Sequence, residues 1–355
     1  MKNLSISSSK GEYANIPKFI IKLTLFLSIP TLLISALALY LSSINALPAP
    51  VLTGRVSFDE KARFIYLHPF DKLDILATGS SMAMYNLSSE VVFENINPNA
   101  RYFNFGSWGM KIEDSALFLD HLSNKFEPDV VIIVTSPFDF YSNENPLRLD
   151  MADYDRYISG TGATGPLYFY LRYHDPSLLW RARTLREQRT QTDIYLSLKF
   201  DRGGGVSIDP PRESISPELW NAKFYARSLN NSNYDALEKR VADLSSKGIL
   251  TIVVQSPMRA HFLTGDDIGV IEHWQRLDTI VSQNGGYFIN MHSELKLGDE
   301  HFVDWGHLNS KGSKIFSREL FNVLEQRNIF VDGRFDTTIT QQADLTAPSP
   351  SPQYP

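Results

Sequence analysis

LDILATGSSMAMYN, residues 73–86, is the stretch whose reading decides the fold. Leu73–Ala77 is a short, mostly apolar run and reads as a buried strand. Thr78-Gly79-Ser80-Ser81 ends it, and the polar run Asn86–Glu90 reads as a helix start. An apolar run stopped by glycine fits a parallel strand inside an α/β sheet. Ligands of such sheets sit at the carboxyl ends of the strands. A serine there, beside a glycine that lets the backbone turn, is placed to act as a nucleophile. A plain Gly-Ser turn without chemistry carries the same letters. The feature that separates the two readings lies far downstream, in Asp304-Trp305-Gly306-His307-Leu308-Asn309.

Outward from this stretch the chain repeats a strand–helix rhythm. Ala100–Phe105 reads as a second strand, followed by the turn Asn104-Phe105-Gly106-Ser107-Trp108-Gly109. Met110–Phe126 carries Ile112, Ala116, Leu119 and Leu122 at helical spacing. Asp129–Val134 is a third strand, ended by Thr135-Ser136-Pro137. Residues 141–220 break the rhythm, with Gly160–Gly165, Gly203-Gly204-Gly205 and a helical reading over Leu178–Arg189 that displays Arg181, Arg183, Arg186 and Arg189. Those arginines read as a solvated face or as part of a substrate-binding cap. The rhythm returns with a helix over Tyr234–Lys247, a strand at Ile249–Val254, a helix over Asp267–Asn284, a short strand at Tyr287–Asn290 and a closing helix over Asn309–Arg327. The expected fold is α/β: a three-layer αβα sandwich around a mostly parallel sheet.

The N-terminus is of another kind. Phe19–Leu41 is apolar except for Lys22 and would reach roughly 35 Å as a helix, enough for a bilayer core of about 30 Å. Lys2, Lys10 and Lys18 precede it, so the positive-inside rule predicts a cytoplasmic N-terminus and an exported body. A cleaved signal peptide is the competing reading. The apolar run is long for one, and Ser43-Ile44-Asn45-Ala46 is a poor cleavage site. The expected organisation is therefore a cytoplasmic segment 1–18, an anchor 19–41, a linker 42–53 stiffened by Pro48 and Pro50, a domain over 54–335 with an insertion at about 141–220, and a disordered Pro/Ser tail over 336–355. The chain carries −6 overall while its first 53 residues are cationic, so the body is acidic and nucleic acid is an unsuitable partner. With 0 cysteines, disulfides and thiolate metal sites are excluded.

The chemistry concentrates in Asp304-x-x-His307. An aspartate three residues before a histidine can turn back onto one imidazole nitrogen, leaving the other to take a serine proton. A metal reading of the same loop, His301-x-x-Asp304-x-x-His307, offers two histidines and a carboxylate but ignores Ser81; no metal or other cofactor is expected. Gln255 and Arg259, after the fourth strand, are candidate cleft residues, with Arg259 equally readable as a surface residue.

These blocks together resemble the SGNH (GDSL-like) hydrolase superfamily, in its membrane-anchored branch. Gly79-Ser80-Ser81 is similar to the family's Gly-Asp-Ser block, NFGSWG ending at Gly109 to its second, and DWGHLNSKG to its last. The resemblance spans about residues 73–139 and 234–327. It implies a flavodoxin-like sheet, Ser81 as nucleophile, His307 as base and Asp304 as its orienter. It also implies an oxyanion hole from the backbone N–H groups of Ser81 and Gly109. Ser80 replaces the family's aspartate, which leaves the nucleophile intact. Phe138 stands where the family's oxyanion asparagine is expected, so that donor is either missing or supplied by Asn143 or Asn145 from the insertion. The resemblance further implies acyl transfer or ester hydrolysis, of O-acetyl groups on an envelope or exported polysaccharide, beside a multi-pass membrane acyltransferase. A non-catalytic glycan-binding or assembly subunit that keeps the fold is the alternative, with Phe138 in its favour and the retained Ser81, Asp304 and His307 against it.

Overall fold

The computed structural model describes residues 16–44, 46–47, 49–160, 165–173, 175, 177, 180–181, 198–210, 215–224, 228–260, 262 and 268–337. It opens with helices α1 (Ile16–Ser43) and α2 (Val56–Leu67). Strand β1 (Ile75–Gly79) leads into α3 (Ser81–Asn86), α4 (Ser89–Asn95) and β2 (Tyr102–Asn104). Helix α5 (Ile112–Phe126) precedes β3 (Val130–Thr135), and α6 (Met151–Ile158) and α7 (Gly165–Arg172) follow it. The rhythm then runs through α8 (Asn231–Ser246), β4 (Leu250–Gln255), α9 (Ile268–Gln283), β5 (Tyr287–Asn290) and α10 (Ser310–Gln326). A small hairpin, β6 (Phe330–Val331) with β7 (Arg334–Phe335), follows the last helix.

The sheet order is β2-β1-β3-β4-β5, and every adjacent pair is parallel. After β1 the chain first adds a strand on one side and then crosses to the other. The switch point between β1 and β3 opens a crevice at their carboxyl ends, where such sheets bind ligands. Strand residues alternate between two cores. Leu76, Val131, Ile133 and Val253 face α2, α5, α8 and α9, whereas Ile75, Ala77, Ile132, Val134, Ile252 and Val254 face α3, α4 and α10. That period of two, buried on both faces, gives three layers.

Three local readings change. β1 starts two residues later than expected and runs through Thr78 and Gly79, because Gly79 still pairs with Val134. The first helix after it begins at once, at Ser81, because Ser80 caps it; the run near Asn86 starts a second helix at Ser89. Helix α2 was not expected, although Phe58, Ala62 and Ile65 bury at helical spacing.

Helix α1 is continuous through Pro30. Its stretch Ile16–Leu41 has mean hydropathy 2.0, none of it buried, and among the described residues it is the one helix long and apolar enough to cross a membrane. Residues 1–15, Arg183, Arg186, Arg189, residues 161–164 of the glycine-rich piece and the Pro/Ser tail from 338 onward lie outside the described residues.

Candidate active site

The site is built where β1 hands over to α3. Gly79 has φ +138°, and a Cβ there would meet the Val134 carbonyl oxygen at 2.1 Å, so only glycine allows β1 to end this close to β3. Ser80 then caps α3, its Oγ accepting from the Met82 N–H at 3.2 Å. Capping fixes Ser81 as the first residue of the helix, at the carboxyl edge of the sheet. An N–H at that position has no partner within its own helix.

The opposing loop folds on its own carboxylate. Asp304 Oδ1 accepts from the Gly306 N–H at 2.8 Å and the His307 N–H at 2.7 Å. Its Oδ2 lies 2.6 Å from His307 Nδ1, which places the proton on that nitrogen. His307 Nε2 then faces Ser81 Oγ at 2.7 Å. Serine, imidazole and carboxylate thus form one hydrogen-bonded chain joining residues 226 positions apart. Asp304 is 1% exposed. Burial by itself would raise its pKa, but His307 and the N–H groups of Gly306 and His307 outweigh that and hold the carboxyl below its ordinary range.

Asn86, at the far end of the helix that Ser81 begins, locks the two halves together. Its Nδ2 donates to Gly306 O at 2.9 Å and Ser256 Oγ at 2.7 Å, and its Oδ1 accepts from the Leu308 N–H at 2.8 Å. Sequence spacing gave no sign of this role. The imidazole also has two aromatic neighbours. Tyr85 meets it edge-on at 5.4 Å, with its hydroxyl accepting from Trp108 Nε1, and Trp305 lies at 5.8 Å. Trp305 sits between the two relay residues in DWGH, so this neighbour was legible.

Gly109 comes to the same edge, because the Ser107 N–H donates to Gly79 O at 3.2 Å. Its φ of +65° suits glycine, and the space a Cβ would occupy is open. Phe138 packs on Trp305 at 4.4 Å, and Phe262 stacks on the same indole at 4.8 Å. Phe138 therefore belongs to an apolar wall. Beside it, burial pushes the Asp139 carboxyl upward, against Lys111 and the N–H of Ser136.

The other candidates fall elsewhere. Asn143 Nδ2 donates to Asp114 Oδ1 at 3.1 Å, and the Asn145 carbonyl accepts from Arg55, so both residues are engaged near the start of α5. Gln255 is 0% exposed and its Nε2 donates to Ser256 O at 2.9 Å, which gives it no face toward a cleft. Arg259 is 4% exposed; it pairs with Asp299 at 2.6 Å and stacks on Trp220 at 3.4 Å, tying two loops together. His301 faces Glu300 at 3.4 Å, while both His307 nitrogens meet Asp304 and Ser81. Among the described residues no three His, Asp or Glu side chains are grouped to hold a metal ion.

No protein-family model matches this chain, and no curated protein matches it. Among solved structures it is similar to a candidate platelet activating factor from Streptococcus pneumonia, with TM-score 0.39 and 11% identity over 77% of this chain and 92% of that one. It is also similar to a gut microbial diltiazem-metabolizing enzyme, with TM-score 0.38 and 15% identity over 72% of this chain, which spans 48% of that one.

Proposed function

We propose that this chain is a membrane-anchored serine enzyme of SGNH type that moves an acyl group through an ester on Ser81. The observation that carries the reading is the Ser81–His307–Asp304 chain, with contacts of 2.7 and 2.6 Å. His307 Nε2 takes the proton as Ser81 Oγ attacks the acyl carbonyl carbon. Asp304 stays ionised and stabilises the imidazolium. The negative oxygen turns toward the N–H groups of Ser81 and Gly109, donors of a kind worth roughly 3–4 kcal/mol each when removed by mutation. Collapse expels the leaving alkoxide, which takes the proton from His307. Water or a sugar hydroxyl then repeats the sequence in reverse.

The acyl group we assign is O-acetyl, and the substrate an envelope or exported polysaccharide, supplied through a multi-pass membrane acyltransferase. This part follows from the resemblance; half-buried Trp305 and Phe138 border the site beside His307. In this reading α1 anchors the chain with a cytoplasmic N-terminus, and a reporter fused after Pro355 is exported. The decisive experiment incubates the full chain in detergent with an acetyl ester and reads protein mass. An acetyl adduct that requires Ser81 supports the reading, and its absence at saturating ester refutes it. The apolar wall at Phe138 is the observation favouring a glycan-binding subunit instead, for which glycan binding without any adduct is the expected result.

A further inference from the structure

Residues 198–210 take no part in the proton relay, yet they touch both halves that carry it. The Val206 N–H donates to Met84 O at 2.9 Å, on the nucleophile's helix. The Ser310 N–H, three residues after His307, donates to Ile208 O and to Asp209 Oδ1, each at 3.1 Å. Between these bonds, buried Val206 and Ile208 pack with Met84, Tyr85 and Val303. This strap therefore bridges the serine's helix and the histidine's loop.

Its anchor is a tight turn against β2. Asp201 Oδ1 accepts from the N–H groups of Gly203 at 2.8 Å and Gly205 at 2.9 Å, and the Asn104 N–H donates to Gly203 O at 2.7 Å. Over this turn lies Lys61 of α2, 0% exposed. Its Nζ donates to Asn104 O at 2.5 Å and to Gly204 O, and it sits 4.5 Å over the Phe200 ring. Burying an ammonium costs several kcal/mol, and an apolar side chain of similar volume commonly leaves a core as stable or more so. What the charge adds here is a link between two carbonyls, one at the end of β2 and one on the strap.

We propose that Lys61 is a positioning residue for the relay: by clamping the 201–205 turn to the end of β2 it sets the strap, and the strap sets Ser81 against His307. The proposal rests on the acyl-transfer reading above. Burial brings the Lys61 pKa down to about 7, against the pull of Asp201.

The same anchor can be loosened from its other side. Gly204 has φ +83°, and a Cβ there would meet Phe103 Cε2 at 2.7 Å and Asn104 O at 2.8 Å. Gly204→Ala thus lifts the turn without touching the charge, and it carries the test if Lys61→Met fails to fold. Lys72→Met, at an exposed pair with Asp129 on the opposite edge of the sheet, is the control. In the full chain in detergent, amide exchange over 201–209 reports the strap, p-nitrophenyl acetate reports kcat and KM, and the low-field proton resonance of His307 Nδ1–H reports the relay. Both anchor variants should exchange faster, lose about 10- to 100-fold in kcat with KM little changed, and shift or lose the resonance. Faster exchange with wild-type kcat and an unmoved resonance overturns the proposal. If wild-type chain shows no Ser81-dependent turnover, the acyl-transfer reading fails, and the resonance alone still decides whether Lys61 positions the histidine.

Discussion

The two edges of the parallel sheet invite comparison, because the wide groove is not at the edge that holds the Ser81–His307–Asp304 chain. A groove of about 1110 Å³ lies at the amino edge, lined by Asp74, Asn124, Asp129, Lys247, Asp332 and Arg334 among others. A smaller cavity of about 360 Å³ lies between α4, the 201–207 strap and the start of α10; Tyr85 lines it, but Ser81, Asp304 and His307, at the carboxyl edge, do not. Both edges hold a carboxylate pulled below its ordinary pKa: Asp74 at one, Asp304 at the other. The difference is what does the pulling. Asp74 faces the guanidinium of Arg101, a partner that stays charged and moves no proton. Asp304 faces an imidazole whose other nitrogen already touches a hydroxyl. A lowered carboxylate points more strongly to a site when its partner can exchange a proton with a third group, since ion pairs that only hold structure lower it as well.

The sharpest way to break this comparison is to remove the ends of the relay. Ser81→Ala should abolish the acyl-enzyme, and His307→Ala should cost nearly as much, about 10⁴-fold or more in turnover, since members of such a unit fail together. Acetyl-ester turnover and adduct mass measure both. Wild-type turnover in either variant would place the chemistry elsewhere.

Asp304→Asn comes next, at about 10⁴-fold or somewhat less, because the amide favours the wrong tautomer of His307. It also has a pH signature. The Asp304 pKa is lowered on folding, so its stabilising contribution is complete above the unfolded value of about 4 and is lost as pH falls through the lowered value. The gap in unfolding free energy between wild type and Asp304→Asn should therefore hold steady above about pH 5 and narrow as pH falls from there toward the lowered value. A gap independent of pH over that range would mean that Asp304 is not the ionised partner.

Much of the carboxyl edge was legible because its signals are local. The run ending at Gly79 and the three-residue step from Asp304 to His307 each reveal a geometry within a few residues. The sheet was legible for a related reason, since strands buried on both faces are continuous apolar runs. What escaped depends on contacts between distant segments. Asn86 reads as an ordinary polar residue until it meets Gly306 and Leu308 from the far end of the chain. Lys61 reads as an ordinary solvated lysine until the 201–205 turn covers it. The engagement of Asn143 with Asp114 was hidden likewise, since nothing in the spacing says which loop reaches α5 first.

Ser80→Ala is a smaller test of the same edge. By sequence, Ser80 merely fills the position of a family aspartate, and its loss should be nearly silent. The capping bond to the Met82 N–H changes that expectation. Losing a serine cap costs about 1 kcal/mol, and Ser81 is the next residue. Thermal unfolding should show that loss, with turnover reduced by about threefold or less. A stability unchanged within about 0.3 kcal/mol would show that the cap contributes nothing at this helix.

The smallest expected effect belongs to the amino edge, and it tests whether that wide groove takes part at all. Asp74 accepts from Arg101 Nε at 3.0 Å and from the Arg101 N–H at 2.8 Å, beside β2. Burial acts to raise its pKa, but the bonds and charge of Arg101 prevail and lower it. The pair is half open to solvent on the arginine side, so screening reduces its worth to about 0.2–1 kcal/mol. Asp74→Ala should therefore lower the unfolding free energy by no more than about 1 kcal/mol, less at high salt. Its position lies roughly 20 Å from Ser81 by strand rise, with the whole of β1 between them. Its side-chain bonds go to Arg101, just before β2, so acetyl-ester turnover and adduct formation should stay at wild-type values. A fall in turnover of more than threefold, with stability nearly kept, would mean that the groove at the amino edge is coupled to Ser81, and the contrast between the two edges would not hold.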